Sequence, residues 1–447
     1  MKFLSLGICC CIALASLHSC KKSESTVAPP PPPPPPPVVV DHTITSINPD
    51  NGPKGISVEI TGTHFGTDPS KVKVSFNGMD ATVTGVTDTK LIVTVPAKSG
   101  TGAVAVTILS KTVTGPIFTY IPGMVVSTLA GTGTSGFVNG TGAGAKFQSP
   151  ILHAITDSKG NIYVVDPGNF AIRKITPDGT VSTFAGSGAA GIVDAISTAA
   201  SFYQPNGITA DAQDNLYVSD GCAIRKIKPD GTVTTIAGNN TGSACGYKDG
   251  PGGIAAFNYP YGLCTDASGN VYVAERGNHD VRKITPAAIT STFVGGGYGD
   301  AEGTGTAALF KYPHALCSDN SGNIFLVDQS NYKIRKITPA GVVTTFAGSG
   351  VNNRVDGQGT AAAFRTVNAI CADKTGNLFF VEQNSDSTFL RMLTPTGKMS
   401  TLAGGHYGWV DGNASTARFL SVYGICIDAN GVIYITDAQR IRKVVIE

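Results

Sequence analysis

Apolar residues occur along this chain in short runs rich in Val, Ile, Thr and Tyr, with Gly, Pro, Asn and Asp between them. Examples are IYVVD (Ile162–Asp166), AIRKI (Ala171–Ile175) and VSTFAG (Val181–Gly186). Short runs of this composition, bounded by turn residues, are typical of β-strands and tight turns rather than of helices. The pattern therefore predicts an all-β protein.

The runs repeat. Segments similar to VSTFAG recur at spacings of 52 to 57 residues. They begin at Val126, Val181, Val233, Thr290, Val343 and Met399. Each period contains four predicted strands, and four strands in about 50 residues form one blade of a β-propeller.

The ends of the repeat region predict how the propeller closes. The region begins with an isolated fourth strand, Val126–Gly131, and finishes with a third strand, Ile441–Ile446, that no fourth strand follows. We expect these two segments to pair and to complete the last blade. The ring then has six blades and no unpaired inner edge.

The repeats resemble NHL repeats in the form with long loops found in bacterial exported proteins. The matching features are the Gly-Asn turns, such as Gly160-Asn161 and Gly376-Asn377, the YV(A/S/V)(D/E) strands, and IRKI followed by Thr-Pro. The resemblance covers residues 123–447 and implies a propeller. Because that family includes binding modules, sensors and a few lyases, it does not specify a function.

Residues 41–121 predict a small β-sandwich. The segments Ser57–Gly66, Lys71–Gly78, Lys90–Pro96 and Ala103–Leu109 alternate with period two, with turn residues between them. The motifs Ile60-Thr61-Gly62, Phe65-Gly66, Phe76-Asn77-Gly78 and Val95-Pro96 resemble an Ig-like IPT/TIG domain. That resemblance implies a spacer or a module that contacts carbohydrate or protein.

The first residues predict export. Lys2 precedes the apolar stretch Phe3–Leu17, and Leu17-His18-Ser19-Cys20 resembles a bacterial lipobox. We interpret residues 1–19 as a lipoprotein signal peptide and Cys20 as the lipidated residue that anchors the protein to the membrane. The alternative is an ordinary leader cut near Ser19.

Residues 20–40 predict a linker. They contain nine consecutive prolines, Pro29–Pro37, which form an extended polyproline II stalk. The resulting architecture resembles envelope lipoproteins of Bacteroidetes-type bacteria, some of which hold glycans. We expect the protein to be located in the cell envelope, at the outer membrane. The sequence does not decide between a periplasmic and a surface orientation. The formal net charge of only +2 argues against a nucleic-acid partner.

Residues that recur in every blade are interpreted as structural. Six aspartates close the first strands and are expected to cap turns: Asp157, Asp211, Asp266, Asp319, Asp373 and Asp428. Six acids close the second strands: Asp166, Asp220, Glu275, Asp328, Glu382 and Asp437. Six arginines of the third strands are expected to pair with them: Arg173, Arg225, Arg282, Arg335, Arg391 and Arg442. Six phenylalanines are expected between the blades: Phe147, Phe202, Phe257, Phe310, Phe364 and Phe419.

Residues that vary at a shared position are candidates for ligand contacts. Such a position lies five residues before the Asp that closes each first strand, on one mouth of the central channel, and holds Leu152, Asn206, Tyr261, His314, Asn368 and Tyr423. In the first blade His153, beside Leu152, is the candidate, so the candidate set is His153, Asn206, Tyr261, His314, Asn368 and Tyr423. Amide, phenol and imidazole groups together suit a carbohydrate or another polar ligand. The alternative is that these residues only close the mouth. Trp409 has two interpretations as well, stacking on a ligand or packing in its loop.

The cysteines fall into separate groups. Cys264, Cys317, Cys371 and Cys426 share one position in consecutive first strands and are expected to be small buried residues. Cys222 and Cys245 lie on the same predicted face and are candidates for a disulfide in an oxidising exterior.

No catalytic motif stands out. The chain has no GxSxG, HExxH or CxxC sequence, and His153 and His314 alone make a poor metal site. We therefore expect a monomeric protein that is not an enzyme, uses no metal or cofactor and binds its partner non-covalently. A glycan is the first interpretation, and a protein scaffold or adhesion role is the alternative. A metal-dependent lyase is the third.

Overall fold

The structure is a computed structural model that describes residues 41–121, 123–238 and 245–446. The predicted leader, Cys20 and the proline run lie outside these residues. Within the described residues, no helix is long and apolar enough to cross a membrane.

The first described domain is the predicted sandwich. Its strands are Thr43–Asn48, Asn51–Gly52, Ser57–Thr63, Val72–Phe76, Met79–Thr87, Lys90–Thr94, Gly102–Ile108 and Lys111–Tyr120. Met79–Thr87 joins the two layers, since it pairs with Lys90–Thr94 on one side and Val72–Phe76 on the other. Phe76 and Phe118 meet in the core at a centroid distance of 5.0 Å. The long strands Met79–Thr87 and Lys111–Tyr120 were not predicted, because most of their residues are exposed or half-buried and their apolar alternation is weak.

The second domain is a propeller of six blades, as predicted. The innermost strands are Ala154–Thr156, Pro205–Ala210, Pro260–Thr265, Pro313–Ser318, Thr366–Ala372 and Val422–Ile427. The second strands are Ile162–Asp166, Leu216–Asp220, Val271–Glu275, Ile324–Asp328, Leu378–Gln383 and Ile433–Asp437. The third strands are Ala171–Ile175, Ala223–Ile227, Asp280–Ile284, Lys333–Ile337, Ser387–Leu393 and Arg440–Ile446. The outer strands are Thr180–Ala185, Val233–Gly238, Ile289–Val294, Val342–Ala347, Lys398–His406 and Met124–Ala130.

The ring closes through the two ends of the repeat region. Arg440–Ile446 pairs antiparallel with Met124–Ala130, with Val444 opposite Val126 and Arg442 opposite Thr128. The innermost strand of each blade contacts those of its two neighbours, and the last contacts the first. The predicted closure is therefore confirmed.

The loops between blades contribute short elements of their own. Two-residue strands at Gly140–Thr141, Gly250–Pro251, Gly303–Thr304, Gly357–Gln358 and Gly412–Asn413 pair antiparallel with the outer strands. Single 3₁₀ turns occur in these loops at Gly142–Gly144, Ser197–Ala199, Gly252–Ile254, Gly305–Ala307 and Gly359–Ala361. Others occur in the sandwich at Pro69–Lys71 and between second and third strands at Pro167–Asn169 and Gln329–Asn331. Five of these turns precede predicted phenylalanines, and all six rings are at most 1 % exposed. The rings lie in the core, as expected.

The six arginines of the third strands, here called the core arginines, are at most 1 % exposed. Each pairs with the acid that closes the second strand of its own blade. In five blades the arginine also pairs with an aspartate of the loop that leads into the blade: Asp194, Asp249, Asp300, Asp356 and Asp411. The sequence predicted an ion pair across each hairpin. In the structure the arginines of these pairs are buried, and in five blades the arginine also pairs with an aspartate of the loop.

The second blade shows how a core arginine holds its loop. Arg225 donates to Asp220 at 2.8 Å and to Asp194 at 2.9 Å, and its guanidinium also donates to the carbonyl of Val193 at 3.0 Å. The second oxygen of Asp220 accepts the backbone N–H of Gln204 at 2.7 Å. One ion pair therefore fixes both ends of the loop against the hairpin.

The aspartates at the ends of the first strands cap turns, as predicted. One oxygen of Asp157 accepts the backbone N–H groups of Lys159 at 3.0 Å and Asn161 at 2.8 Å. The same two contacts recur in the other five blades. The aspartates are thus occupied by the backbone and belong to the scaffold.

Removing a core arginine should destabilise the propeller strongly. In Arg225→Met, Asp220 stays buried without its cation, which costs about 3–5 kcal/mol in comparable buried pairs. We expect a much lower urea midpoint by circular dichroism. Lys228→Met, an exposed cation in the next turn, is the matched control and should leave the midpoint unchanged. Equal midpoints for the two variants would contradict the structural role.

The third blade carries an additional buried acid beside this ion pair. Asp280 is directly opposite Glu275 in the sheet, is 1 % exposed, and neither of its oxygens accepts a protein hydrogen bond. Burial and the charge of Glu275 raise the pKa of Asp280 to about 9. The first two blades have Ala171 and Ala223 at this position.

We therefore expect Asp280→Ala to stabilise the protein, by about 1–3 kcal/mol at pH 8. Between pH 4 and 9 the folded state retains a proton that the unfolded state has lost, so this group reduces stability as the pH rises. The gain in melting temperature should accordingly grow from pH 5 to pH 9. A gain that does not change with pH would argue against a protonated Asp280.

Candidate functional site

Three of the six predicted mouth residues meet at the centre of the propeller. His153 Nε2 and His314 Nδ1 lie 3.2 Å and 2.9 Å from the same oxygen, the backbone carbonyl of Asn368. The two imidazole rings face each other edge to face, with centroids 6.1 Å apart. The Asn368 side chain donates to the carbonyl of Val422 at 2.9 Å. These residues come from the first, fourth and fifth blades and bridge the mouth.

The bridge is buried and uncharged. His153 is 7 % exposed and His314 is 4 % exposed. Burial lowers the pKa of both rings. For His314 the repulsion that a second protonated ring, His153, would exert and the Arg276 cation lower the pKa further. Because a carbonyl only accepts, each neutral ring uses its N–H toward Asn368. His153, His314 and Asn368 therefore bridge the mouth through neutral hydrogen bonds, and their contact with a ligand stays a prediction.

Behind the bridge lies a cavity of about 190 Å³, lined by the innermost strands. Cys264, Cys317, Cys371 and Cys426 line it as free, buried cysteines. Burial raises the pKa of all four thiols, so they remain protonated. In residues 41–121, 123–238 and 245–446, no group of three or more His, Cys, Asp or Glu is placed to hold a metal ion.

A second cavity, of about 400 Å³, opens beside the bridge over the second, third and fourth blades. Its polar and aromatic lining consists of Gln204, Asn206, Tyr259, Tyr261, Arg276 and Tyr312. Asn206 and Tyr261 belong to the predicted mouth set. Tyr261 connects the two regions, because its ring lies 4.1 Å from that of His314. We call this second cavity the tyrosine pocket.

The local backbone explains how the pocket is formed. Tyr259 and Tyr312 each precede the first residue of an innermost strand and adopt the left-handed conformation, both with φ of 51°. Bulky residues rarely adopt it, and such strain concentrates at functional sites. Both side chains stay in solvent, since Tyr259 is 66 % exposed and Tyr312 is 43 % exposed.

Arg276 lies in the turn between the second and third strands of the third blade. Its backbone N–H donates to the carbonyl of Tyr259 at 3.1 Å, and that of Gly277 donates to Asn258 at 3.1 Å. A Cβ on Gly277 would come within 2.4 Å of the Asn258 side chain, so a larger residue would displace that side chain. The guanidinium carbon lies 5.6 Å from the ring centre of Tyr261 and 5.7 Å from that of Tyr312. The turn therefore places a cation between two aromatic rings.

The remaining predicted residues lie elsewhere. Trp409 is 42 % exposed and its ring lies 4.1 Å from the guanidinium carbon of Arg440, outside the tyrosine pocket. Tyr423 is half-buried and packs against the cluster that contains Leu152. Burial raises the pKa of Tyr261, and nearby Tyr423 adds a smaller contribution in the same direction. Cys20 is outside the described residues.

The sequence analysis missed Tyr259, Tyr312 and Arg276 as contact residues. A comparison of equivalent positions between blades could have identified the two tyrosines. The position of Tyr259 and Tyr312 holds Gln204, Thr366 and Ser421 in other blades, so only two adjacent blades place tyrosine there. What the sequence does not show is that the Arg276 turn folds over the same cavity.

Family models match both domains. Residues 43–120 match the IPT/TIG domain, and residues 257–284 match the NHL repeat. The chain is 25 % identical over 281 residues to Protein SUPPRESSOR OF QUENCHING 1, chloroplastic, of Arabidopsis thaliana, covering 58 % of this chain and 26 % of that protein. It is 28 % identical over 189 residues to NHL repeat-containing protein 2 of Homo sapiens, covering 38 % of this chain and 26 % of that protein. The matched region spans about a quarter of the length of these relatives.

Solved structures from Bacteroides share the fold over most of the chain. A Bacteroides thetaiotaomicron VPI-5482 protein of unknown function superposes with a TM-score of 0.57 and 23 % identity, covering 92 % of this chain and 99 % of that one. An auxiliary nutrient binding protein of Bacteroides ovatus ATCC 8483 superposes with a TM-score of 0.55 and 19 % identity, covering 92 % and 99 %. Another auxiliary nutrient binding protein, from Bacteroides thetaiotaomicron VPI-5482, has a TM-score of 0.54 and 19 % identity, covering 90 % and 97 %.

The two remaining cysteines generate a prediction. Cys222 and Cys245 are joined in the structure with their Cα atoms 5.2 Å apart, a separation that suits a disulfide. We expect mass spectrometry of a non-reduced digest to recover the two peptides linked. Cys264, Cys317, Cys371 and Cys426 should react with iodoacetamide only after unfolding and serve as internal controls. Alkylation of Cys222 and Cys245 without reduction would contradict the bond.

Proposed function

We propose that this protein, in which an IPT/TIG domain precedes a six-bladed NHL-repeat propeller, is a lipid-anchored binding protein of the cell envelope. Its ligand is a glycan, held non-covalently in the tyrosine pocket. The signal-peptide pattern, Cys20 and the proline stalk support export and anchoring. The auxiliary nutrient binding proteins of Bacteroides share the fold, and we propose a similar task here.

The observation that carries the proposal is the composition of the tyrosine pocket. Two exposed tyrosine rings and a half-buried one surround a cavity of about 400 Å³, with two amide side chains and one guanidinium. Sugar rings present apolar C–H faces that stack on aromatic rings, and hydroxyl groups that bond to amides. Cavities of this size are typical of small-molecule sites.

The chemistry of the lining favours binding over catalysis. The pocket is lined by Gln, Asn, Tyr, Pro, Arg and Gly, and none of these supplies a carboxylate, an imidazole or a thiol. The two histidines nearby are engaged with the carbonyl of Asn368. The pocket therefore supplies stacking and hydrogen bonds and lacks the usual general base.

Affinity electrophoresis in gels that contain single polysaccharides tests the proposal. The intact protein should be retarded by at least one polysaccharide, and Tyr312→Ala and Tyr261→Ala should each weaken that retention roughly tenfold through lost stacking. Tyr312 is the cleaner variant, because its ring is exposed. Unchanged melting temperatures check folding.

Trp409→Ala is the matched control, since this ring is exposed but outside the pocket. Loss of retention in Trp409→Ala, with Tyr312→Ala unaffected, would move the site away from the pocket. If no polysaccharide retards the intact protein, glycan binding is wrong and the scaffold or adhesion alternative takes its place.

A further inference from the structure

The charges around the tyrosine pocket are unbalanced. In the described part of the chain, no carboxylate forms an ion pair with Arg276, although acids are close by in sequence. Glu275 and Asp249 are engaged by Arg282. Asp280 is buried and protonated at neutral pH. Arg276 is thus a cation beside whose position in the sequence the acids Glu275 and Asp280 are paired with Arg282 or protonated.

The Arg276 guanidinium is also partly removed from water. Its Nε is buried and has no hydrogen-bond partner, while the side chain as a whole is half-buried against two tyrosine rings. An arginine is charged at every physiological pH. A partly desolvated cation without an acidic partner is less favourable than a paired one, and an anion in the pocket would offset that cost.

The aromatic surface continues outward from the pocket with a second cation. His279 lies between Tyr298 and Tyr312, with ring centroids 5.2 Å and 5.0 Å apart, and its Nδ1 accepts the Tyr312 backbone N–H. Tyr298 is 60 % exposed, and the Lys311 ammonium lies 5.5 Å from its ring centre. No acid within the described residues pairs with Lys311. Tyr312, His279, Tyr298 and Lys311 therefore continue the aromatic rings and positive charge of the tyrosine pocket outward.

We infer that the ligand is an acidic oligosaccharide, whose carboxylate or sulfate group pairs with Arg276 while its sugar rings stack on Tyr312 and its neighbours. This inference rests on the proposed function and specifies the ligand class. Carboxylates and sulfates both accept paired hydrogen bonds from a guanidinium. The net charge of the whole chain is only +2, so the preference comes from the local arrangement rather than from a general attraction to polyanions.

Polysaccharides that differ only in their acidic groups distinguish recognition of the charge from recognition of the sugar rings. Affinity gels are prepared with polygalacturonate and with its fully methyl-esterified form, and with carrageenan and its desulfated form. We expect retention by one acidic member and loss of it when the acid is esterified or removed. The pair of polysaccharides whose retention differs shows whether the protein recognises a carboxylate or a sulfate.

The variant Arg276→Gln keeps hydrogen-bonding capacity and removes the charge. It should weaken retention about ten- to hundredfold, the effect of one charge-assisted contact. Lys228→Gln loses the same charge in an exposed turn on the opposite face and should retain full binding. Arg276→Lys should recover part of the affinity.

The outcomes distinguish this inference from the proposed function. Equal retention by the charged and uncharged forms, or retention by neutral polysaccharides only, overturns the acidic ligand and leaves glycan binding in place. Equal losses in Arg276→Gln and Lys228→Gln indicate non-specific charge attraction and also overturn it. No retention by any polysaccharide overturns both.

Discussion

The fold depends on a buried arginine that is repeated once in every blade. Each core arginine joins the acid at the end of the second strand, and in five blades an acid of the inter-blade loop as well. A buried guanidinium is unfavourable unless all its partners are present. The loops, which contain many glycines and little regular structure, are therefore held by the same residues that hold the hairpins together.

The residues that hold the blades together differ from those at the ends of the innermost strands, which lie at the mouth of the channel. The core arginines, the turn-capping aspartates and the interblade phenylalanines recur in every blade, whereas the residues at the mouth differ from blade to blade. Three of them, His153, His314 and Asn368, make a neutral bridge across the channel. The channel is thus bridged at this mouth, and the tyrosine pocket lies to one side of the bridge, over the second to fourth blades.

The asymmetry arises from differences between blades rather than from the repeated pattern. The third and fourth blades place Tyr259 and Tyr312 before their innermost strands, and the third alone has Arg276 in the adjoining turn. Gly277 allows that turn to approach the strand closely. In this ring of six similar units, the tyrosine pocket combines aromatic rings with the Arg276 guanidinium.

Sequence alone determined the architecture, because its signals are local and repeated. The strand pattern, the number of blades, the closure by Val126–Gly131 and Ile441–Ile446, and the structural roles of the recurring Asp, Arg and Phe residues all follow from spacing within one period. Which mouth residues meet was decided by the tertiary structure, since His153 and Asn368 are separated by 215 positions. The tyrosine pocket likewise depends on two left-handed tyrosines and on a turn from another part of the blade. No periodic pattern encodes those contacts, because they depend on how the closed ring brings different blades side by side.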